Sequence, residues 1–460
     1  MIFMCYQEYT ATMKRLGRSI LLCAGLLVLA VVAAGAVSAA DVSTSDATDP
    51  VLTQQDDDAN ETELPVEPPT EAHPGYEYIR QEGDTEEKIE LGKQLFLDPR
   101  ISETGTISCN TCHNVMEGGH DGRPTAMGVH GLTGPVNSPT VWNSGFHHTQ
   151  FWDGRADTLA EQAEGPIVAD IEMGMPDHEA ALDRVREVDG YVEQFEEVYG
   201  DEVGSDDPAE LITLDTVTDA IAAYERTLVT PNSPYDQYVR GDADALTEQQ
   251  LDGMETFTEL GCQSCHYGPM FSGQWQEPES GNFYGRQHPT YPENEQCSQY
   301  IEDYDLQENE GRMGVTGDEA DQYVYKVPTL RNVEHTAPYM HTGEVPTLEE
   351  AVRVMAACQL DTEVSDEQVQ DVTAFLSSLT GEYPEQDMPR LPSPSGESMI
   401  PAEAEQLDLN EEGGDDQGST DGDGGDGGNG GLTLGFLGLL VGLVVGVAAA
   451  LIGYSQITSE

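Results

Sequence analysis

Apolar positions along this chain recur mostly at helical spacing, and stretches that alternate every second residue are scarce. Residues 84–97 read as a helix with Ile89, Leu91, Leu95 and Phe96 as its apolar residues and Asp84 or Thr85 as its cap. Residues 177–199 read as a helical pair broken near Asp189-Gly190, and residues 215–229 as another amphipathic helix. Thr247-x-x-Gln250 is a capping box, in which each side chain satisfies the other residue's free backbone N–H. Thr347-x-x-Glu350 and Ser365-x-x-Gln368 open two further helices, the last expected to stop at Gly381. The pattern predicts a mainly α fold.

Two apolar runs stand outside this amphipathic pattern. Residues 20–37 follow Lys14, Arg15 and Arg18 and precede Ser38-Ala39-Ala40, so residues 1–40 read as a secretory signal or an uncleaved hydrophobic anchor. Residues 432–454 carry no charge and are long enough to cross a bilayer as a transmembrane helix. An acidic tether over 41–75 and an acidic Gly/Asp-rich linker over 391–431 flank a folded body. That body divides into 76–230 and 231–390, with the joint near residues 231–235. The expected location is the extracytoplasmic face of the cell membrane. No Lys or Arg follows the second run, so charge bias gives no orientation.

Charge narrows the partners. Of 460 residues, 86 are Asp or Glu and 19 Lys or Arg, a net charge of −67 that excludes nucleic acid. The lysines are Lys14, Lys88, Lys93 and Lys326. The acid is spread through segments that also carry helical apolar patterns, so it does not describe a disordered tail. A folded surface this acidic repels itself unless salt screens it. The economical reading is an extreme halophile of archaeal type.

Chemistry enters with a repeated motif. Cys109-Asn110-Thr111-Cys112-His113 and Cys262-Gln263-Ser264-Cys265-His266 are both Cys-x-x-Cys-His, the c-type haem attachment pattern. Two thiols bind the porphyrin edge, and the histidine reaches the iron from the proximal side. A zinc knuckle needs four well-placed ligands, and a redox dithiol has no need of the histidine. Two haem c groups in tandem cytochrome c-like domains follow, and a helix leads into each motif, as expected of an ancient duplication. Of the other cysteines, Cys297 and Cys358 lie in the second half. They either pair, as an oxidising compartment permits, or remain two buried thiols.

The order of further motifs resembles the bacterial dihaem cytochrome c peroxidases, related to the methylamine-utilisation dihaem enzyme, over roughly 84–385. The resemblance rests on Leu95-Phe96-Leu97-Asp98-Pro99-Arg100, Gly134-Pro135-Val136-Asn137-Ser138-Pro139-Thr140-Val141 and Phe151-Trp152-Asp153-Gly154-Arg155. It continues in Lys326-Val327-Pro328-Thr329-Leu330-Arg331-Asn332-Val333 and Thr336-Ala337-Pro338-Tyr339-Met340-His341-Thr342-Gly343.

The resemblance implies unlike irons. Met355 matches the axial methionine of the second haem, whose sulfur raises the potential; Met340, Met313 and Met270 are weaker candidates. His130 matches a loop histidine that leaves the first iron when the other haem is reduced, displaced here by one inserted position. From the residues alone His120 competes with it. Glu172 matches the distal glutamate that moves a proton during peroxide cleavage. Gln162 matches a distal amide, Pro166 shapes the pocket, and Trp152 matches the tryptophan between the rings. Asn137, Thr336 and Pro338 match the protein ligands of a calcium, an ion suited to oxygen donors.

The activity implied is reduction of hydrogen peroxide to water with electrons from a small redox protein, a cytochrome c or a blue copper protein. A dihaem electron carrier without peroxidase activity and a protein-modifying dihaem oxidase are the alternatives. The modifying relative has tyrosine where this chain has Met355. Relatives form homodimers, so a homodimer is expected.

Overall fold

The structure, a computed structural model, describes residues 64–273 and 290–394. The expected signal and the C-terminal transmembrane helix lie outside the described residues, as do most of the two acidic linkers. Among the described residues no helix is long and apolar enough to cross a membrane.

The described chain is mainly helical, and its β structure is confined to isolated bridges. In the first half, α1 (Glu86–Leu97) starts at Thr85, whose side chain accepts from the Lys88 N–H. Then come α2 (Leu159–Val168), α3 (His178–Arg186), α4 (Asp189–Val203) and α5 (Leu214–Thr227). The second half holds α6 (Glu248–Leu260), α7 (Ser298–Tyr304), α8 (Leu348–Leu360) and α9 (Asp366–Ser377).

The same crossing occurs twice. In the first half α1 packs on α5 at Gly92, where a Cβ would run into the Ala220 carbonyl. In the second, α6 packs on α9 at Gly253, where a Cβ would run into the Asp371 carbonyl. Each crossing brings the helix preceding a Cys-x-x-Cys-His motif against the last long helix of its half. Each half has its own hydrophobic core, Leu91 to Leu228 in one and Tyr235 to Leu379 in the other.

The halves are knit by polar groups that burial leaves no alternative but to pair. The Thr230 hydroxyl accepts from the side-chain amides of Asn143 and Asn332, both at 2.8 Å. The two asparagines close matching segments, Pro139-Thr140-Val141-Trp142-Asn143 and Pro328-Thr329-Leu330-Arg331-Asn332, and both adopt φ near +60° (62° and 61°). Beside them Arg331 and Asp236, both fully buried, form an ion pair at 2.9 Å.

Some boundaries differ from expectation. The helical pair breaks at Glu187–Val188, and α4 runs on to Val203 rather than stopping at 199. Thr347 caps α8, but the reciprocal arm is missing because Glu350 accepts from the Tyr304 hydroxyl at 2.9 Å. The helix α9 ends at Ser377, short of Gly381. Gly381 instead allows a close approach to the Thr230 carbonyl, where a Cβ would collide. Residues 64–75, the end of the expected tether, are strapped to the short helix Pro234–Val239. Val66 N–H donates to the Tyr238 hydroxyl, Thr70 N–H to that of Tyr235, and His73 N–H to Asp236.

Candidate active site

Each motif folds as a short helical turn that presents its histidine inward. Cys109–Cys112 is one turn with a capping box between Ser108 and Thr111, and Cys262–Ser264 is a 3-10 turn following the left-handed Gly261. His113 Nδ1 donates to the Pro139 carbonyl at 2.9 Å and His266 Nδ1 to that of Phe271 at 2.8 Å. A donor bond at Nδ1 fixes the tautomer and leaves the Nε2 lone pair for a metal. Burial lowers both imidazoles below their ordinary value, which keeps them neutral and fit to ligate.

The thiols fit haem better than the rival chemistries. Burial pushes Cys109 and Cys112 up to about 12 and Cys262 up to about 11. A redox dithiol needs the opposite shift. No three of His, Cys, Asp or Glu converge as a metal cluster among the described residues, so a zinc knuckle has no ligand set there.

Met355, on α8, lines one cavity with Cys262, Cys265 and His266. Met340 lines it too, but its sulfur accepts from the Tyr291 hydroxyl at 3.4 Å. Neither Met270, packed against Phe146 and Val229, nor Met313 belongs to this wall.

Around the first motif, α2 and the loop after it act as one unit. Thr158 caps α2, Gln162 lies in it, and Pro166 sits near its end. The carbonyls of Pro166 and Ile167 accept from the N–H groups of Met173 and Met175 at 3.1 and 2.9 Å. The loop carrying Glu172 is thereby hung from the end of that helix. Burial raises the Glu172 carboxyl above the usual carboxylate value, with Arg155 pulling it back. The charge of Glu172 is felt at the Cys109 and Cys112 thiols, so the carboxyl lies in the neighbourhood of the first haem motif.

His130 is held away from that motif. It adopts φ 58° on a turn between Gly128 and Gly131, and its Nε2 lies 2.8 Å from Glu103 Oε2 in an exposed hydrogen bond. The turn is pinned through the Val129 N–H, which donates to the Glu172 carbonyl at 2.8 Å. The competitor His120 has both nitrogens occupied: Nδ1 accepts from the Gly122 N–H, and Nε2 donates to the His335 carbonyl at 2.8 Å.

Trp152 joins the halves. Its indole N–H donates to the Asn137 carbonyl at 2.9 Å, its own carbonyl accepts from the Lys326 N–H at 2.8 Å, and its ring meets His341 edge-on. Asn137, Thr336 and Pro338 line the same cavity as Met355. The Asn137 side-chain amide donates to the Arg123 carbonyl, so its oxygen is the atom left for a cation.

Three buried groups escaped the reading of the sequence. Glu225 on α5 is pushed up to about 8 by burial, and its Oε2 has no partner. His341 has both ring nitrogens buried without a hydrogen bond. Lys326 is buried beside His147. For the lysine a signal existed, since it is one of four in so acidic a chain and stands inside a specific motif.

A family model described as di-haem cytochrome c peroxidase matches residues 86–244. The cytochrome c551 peroxidase of Nitrosomonas europaea is 43% identical over 304 residues, covering 66% of this chain and 83% of the relative. That of Pseudomonas aeruginosa is 39% identical over 327 residues, covering 71% and 88%. Among solved structures, a MauG-like protein associated with microbial copper homeostasis superposes with a TM-score of 0.53 at 28% identity, over 70% of this chain and 95% of that one. The site geometry and these likenesses agree: the chain belongs to the di-haem cytochrome c peroxidase family.

Proposed function

We propose that the chain reduces hydrogen peroxide to water, taking two electrons and two protons per peroxide, with a small redox protein as donor. The observation that carries this reading is Glu172, a half-buried carboxyl with a raised proton affinity near the first Cys-x-x-Cys-His turn. When bound, two haem c groups on Cys109, Cys112, His113 and on Cys262, Cys265, His266 supply the iron sites for peroxide binding and electron storage. Glu172 takes the proton from the inner peroxide oxygen and returns it to the outer one, so the departing oxygen leaves as water. Gln162 orients the peroxide and Pro166 shapes the pocket. Met355 would hold the second haem's iron through its sulfur, which would give that haem the higher potential and make it the entry point for electrons. Trp152 lies on the route between the sites.

His130 would serve as the switch ligand of the first haem's iron. Its pairing with Glu103 fits the detached position, and the positive φ with flanking glycines supports a turn that can refold. Calcium held by Asn137, Thr336 and Pro338 would brace the junction beside Trp152.

The surroundings are part of the proposal. Residues 432–454 anchor the protein at the extracytoplasmic face, and the acidic surface is adapted to strong salt, as in a halophilic archaeon. The donor is a cytochrome c or a blue copper protein, docked by apolar contact because salt screens steering. Relatives named cytochrome c551 peroxidases support a small c-type cytochrome.

A spectroscopic titration of the full chain in high salt tests the activity. One electron is added, then hydrogen peroxide. The expected result is reduction of one haem at high potential, a high-spin first haem, and consumption of peroxide with reoxidation. Two low-spin haems that ignore peroxide would make the protein an electron carrier instead.

A further inference from the structure

In a chain with 86 acidic residues, Lys326 is buried with none of them as a counter-ion among the described residues. It is 6% exposed and takes part in no ion pair there, and its Nζ donates to Nδ1 of His147 at 3.2 Å. With Nδ1 accepting, the hydrogen of His147 sits on Nε2, and that N–H is buried without a partner. Burial pushes the lysine down to about 8, with no carboxylate restoring it. His147 is held well below its ordinary value, by burial first and then by the charge of Lys326.

A buried cation without a counter-ion, next to a buried donor without an acceptor, is costly for a fold to keep. Both costs vanish if a carboxylate arrives with a ligand. Lys326 and His147 line the same cavity as Cys262, Cys265, His266 and Met355. A haem attached there brings two propionate carboxylates, on the side of the ring opposite its thioether links.

We propose that Lys326 and His147 together hold one propionate of the second haem, the lysine as its counter-ion and His147 Nε2–H as a second donor. This rests on the dihaem reading. It also assigns the propionate a place beside the electron route, because the Lys326 backbone N–H is bonded to the Trp152 carbonyl. Lys326 is thus a positioning residue: it sets the second haem's potential and the placement of its edge against Trp152.

The test uses the full chain in high salt, with Lys326→Met, Lys326→Arg and His147→Leu. Haem content of the wild type is counted first, and fewer than two haems would sink the dihaem reading itself. Redox titration then follows the second haem, and resonance Raman follows its propionate bending band. Lys326→Met is expected to retain both haems, lower the second haem's potential and shift the propionate band, while the first haem is unmoved. Lys326→Arg restores the potential. His147→Leu shifts the band with a smaller change in potential, and it carries the test if Lys326→Met fails to accumulate. An unchanged band in Lys326→Met or His147→Leu, where that variant retains both haems, overturns the proposal. So does a band that stays put while the potential follows chloride concentration, which would mean a free anion sits on the pair.

Discussion

At the residue scale, the first site depends on one carboxyl and on the loop that holds it. Glu172→Gln should leave both haem spectra intact and reduce turnover by roughly 10²–10⁴-fold, the usual worth of a positioned acid–base group. Undiminished peroxide consumption in that variant would remove Glu172 from the mechanism. Gly128 lies against the backbone of Ile171 and Glu172, where a Cβ would collide with both carbonyls. Gly128→Ala should therefore push the Glu172 loop aside, lowering kcat while haem content stays at wild type. Glu225 gives a pH signature. Its folded value of about 8 lies above the ordinary ~4.3 of an exposed glutamate, so the folded state holds the proton more tightly. Stability from this group is present below about 4.3 and is lost as pH rises through about 8. Glu225→Gln should flatten the fall in Tm across that window, as a pH series of thermal melts would read. The haem motifs were legible because cysteine and histidine are neighbours in sequence. His130 was legible only as a candidate. Its partner Glu103 is brought to it by folding, and no local spacing encodes that contact.

At the element scale, capping residues predicted starts well and ends poorly. Thr85, Thr247 and Ser365 cap their helices as read, because a cap bonds within three residues of itself. The stop at Gly381 was misread, since that glycine answers to Thr230, far along the chain. The helix α2 was not expected at all. Pro166 inside it removes a backbone donor and breaks the pattern, while the carbonyls at the helix end are bonded by the Glu172 loop, a contact that local spacing does not announce. Whether Cys297 and Cys358 pair was open in the sequence; the structure joins them, pinning α8 just beyond Met355 to the start of α7. Closing a loop with a sequence separation of 61 residues stabilises the fold by roughly 4 kcal/mol in the chain-entropy account. A Cys297→Ser/Cys358→Ser double variant should lower the urea midpoint by a matching amount, and an unshifted midpoint would mean the bridge constrains nothing in the unfolded chain.

At the scale of the molecule, charge and duplication set the terms. A net charge of −67 is screened over about 3 Å at 1 M salt and about 10 Å at 0.1 M. Tm should fall steadily as salt is withdrawn, and a flat Tm would mean that the surface carboxylates do not repel one another in the fold. The duplication was read from the paired motifs and a joint was expected near residues 231–235, but the contacts between the halves were not legible. Asn143 and Asn332 meet over Thr230 only once both halves are folded, so nothing in either stretch announces the other. The same chain must also sort its sulfurs. Cys297 and Cys358 end fully enclosed in the second core, whereas the four motif cysteines stay partly accessible. During biogenesis, oxidation between motif cysteines would block haem attachment, and a motif cysteine paired with Cys358 would misplace the helix of Met355. Correct maturation therefore calls for the motif thiols to be kept reduced until haem is added, while one remote pair is allowed to oxidise. Such a protein, made in a host that oxidises thiols indiscriminately, should accumulate as scrambled, haem-poor chains.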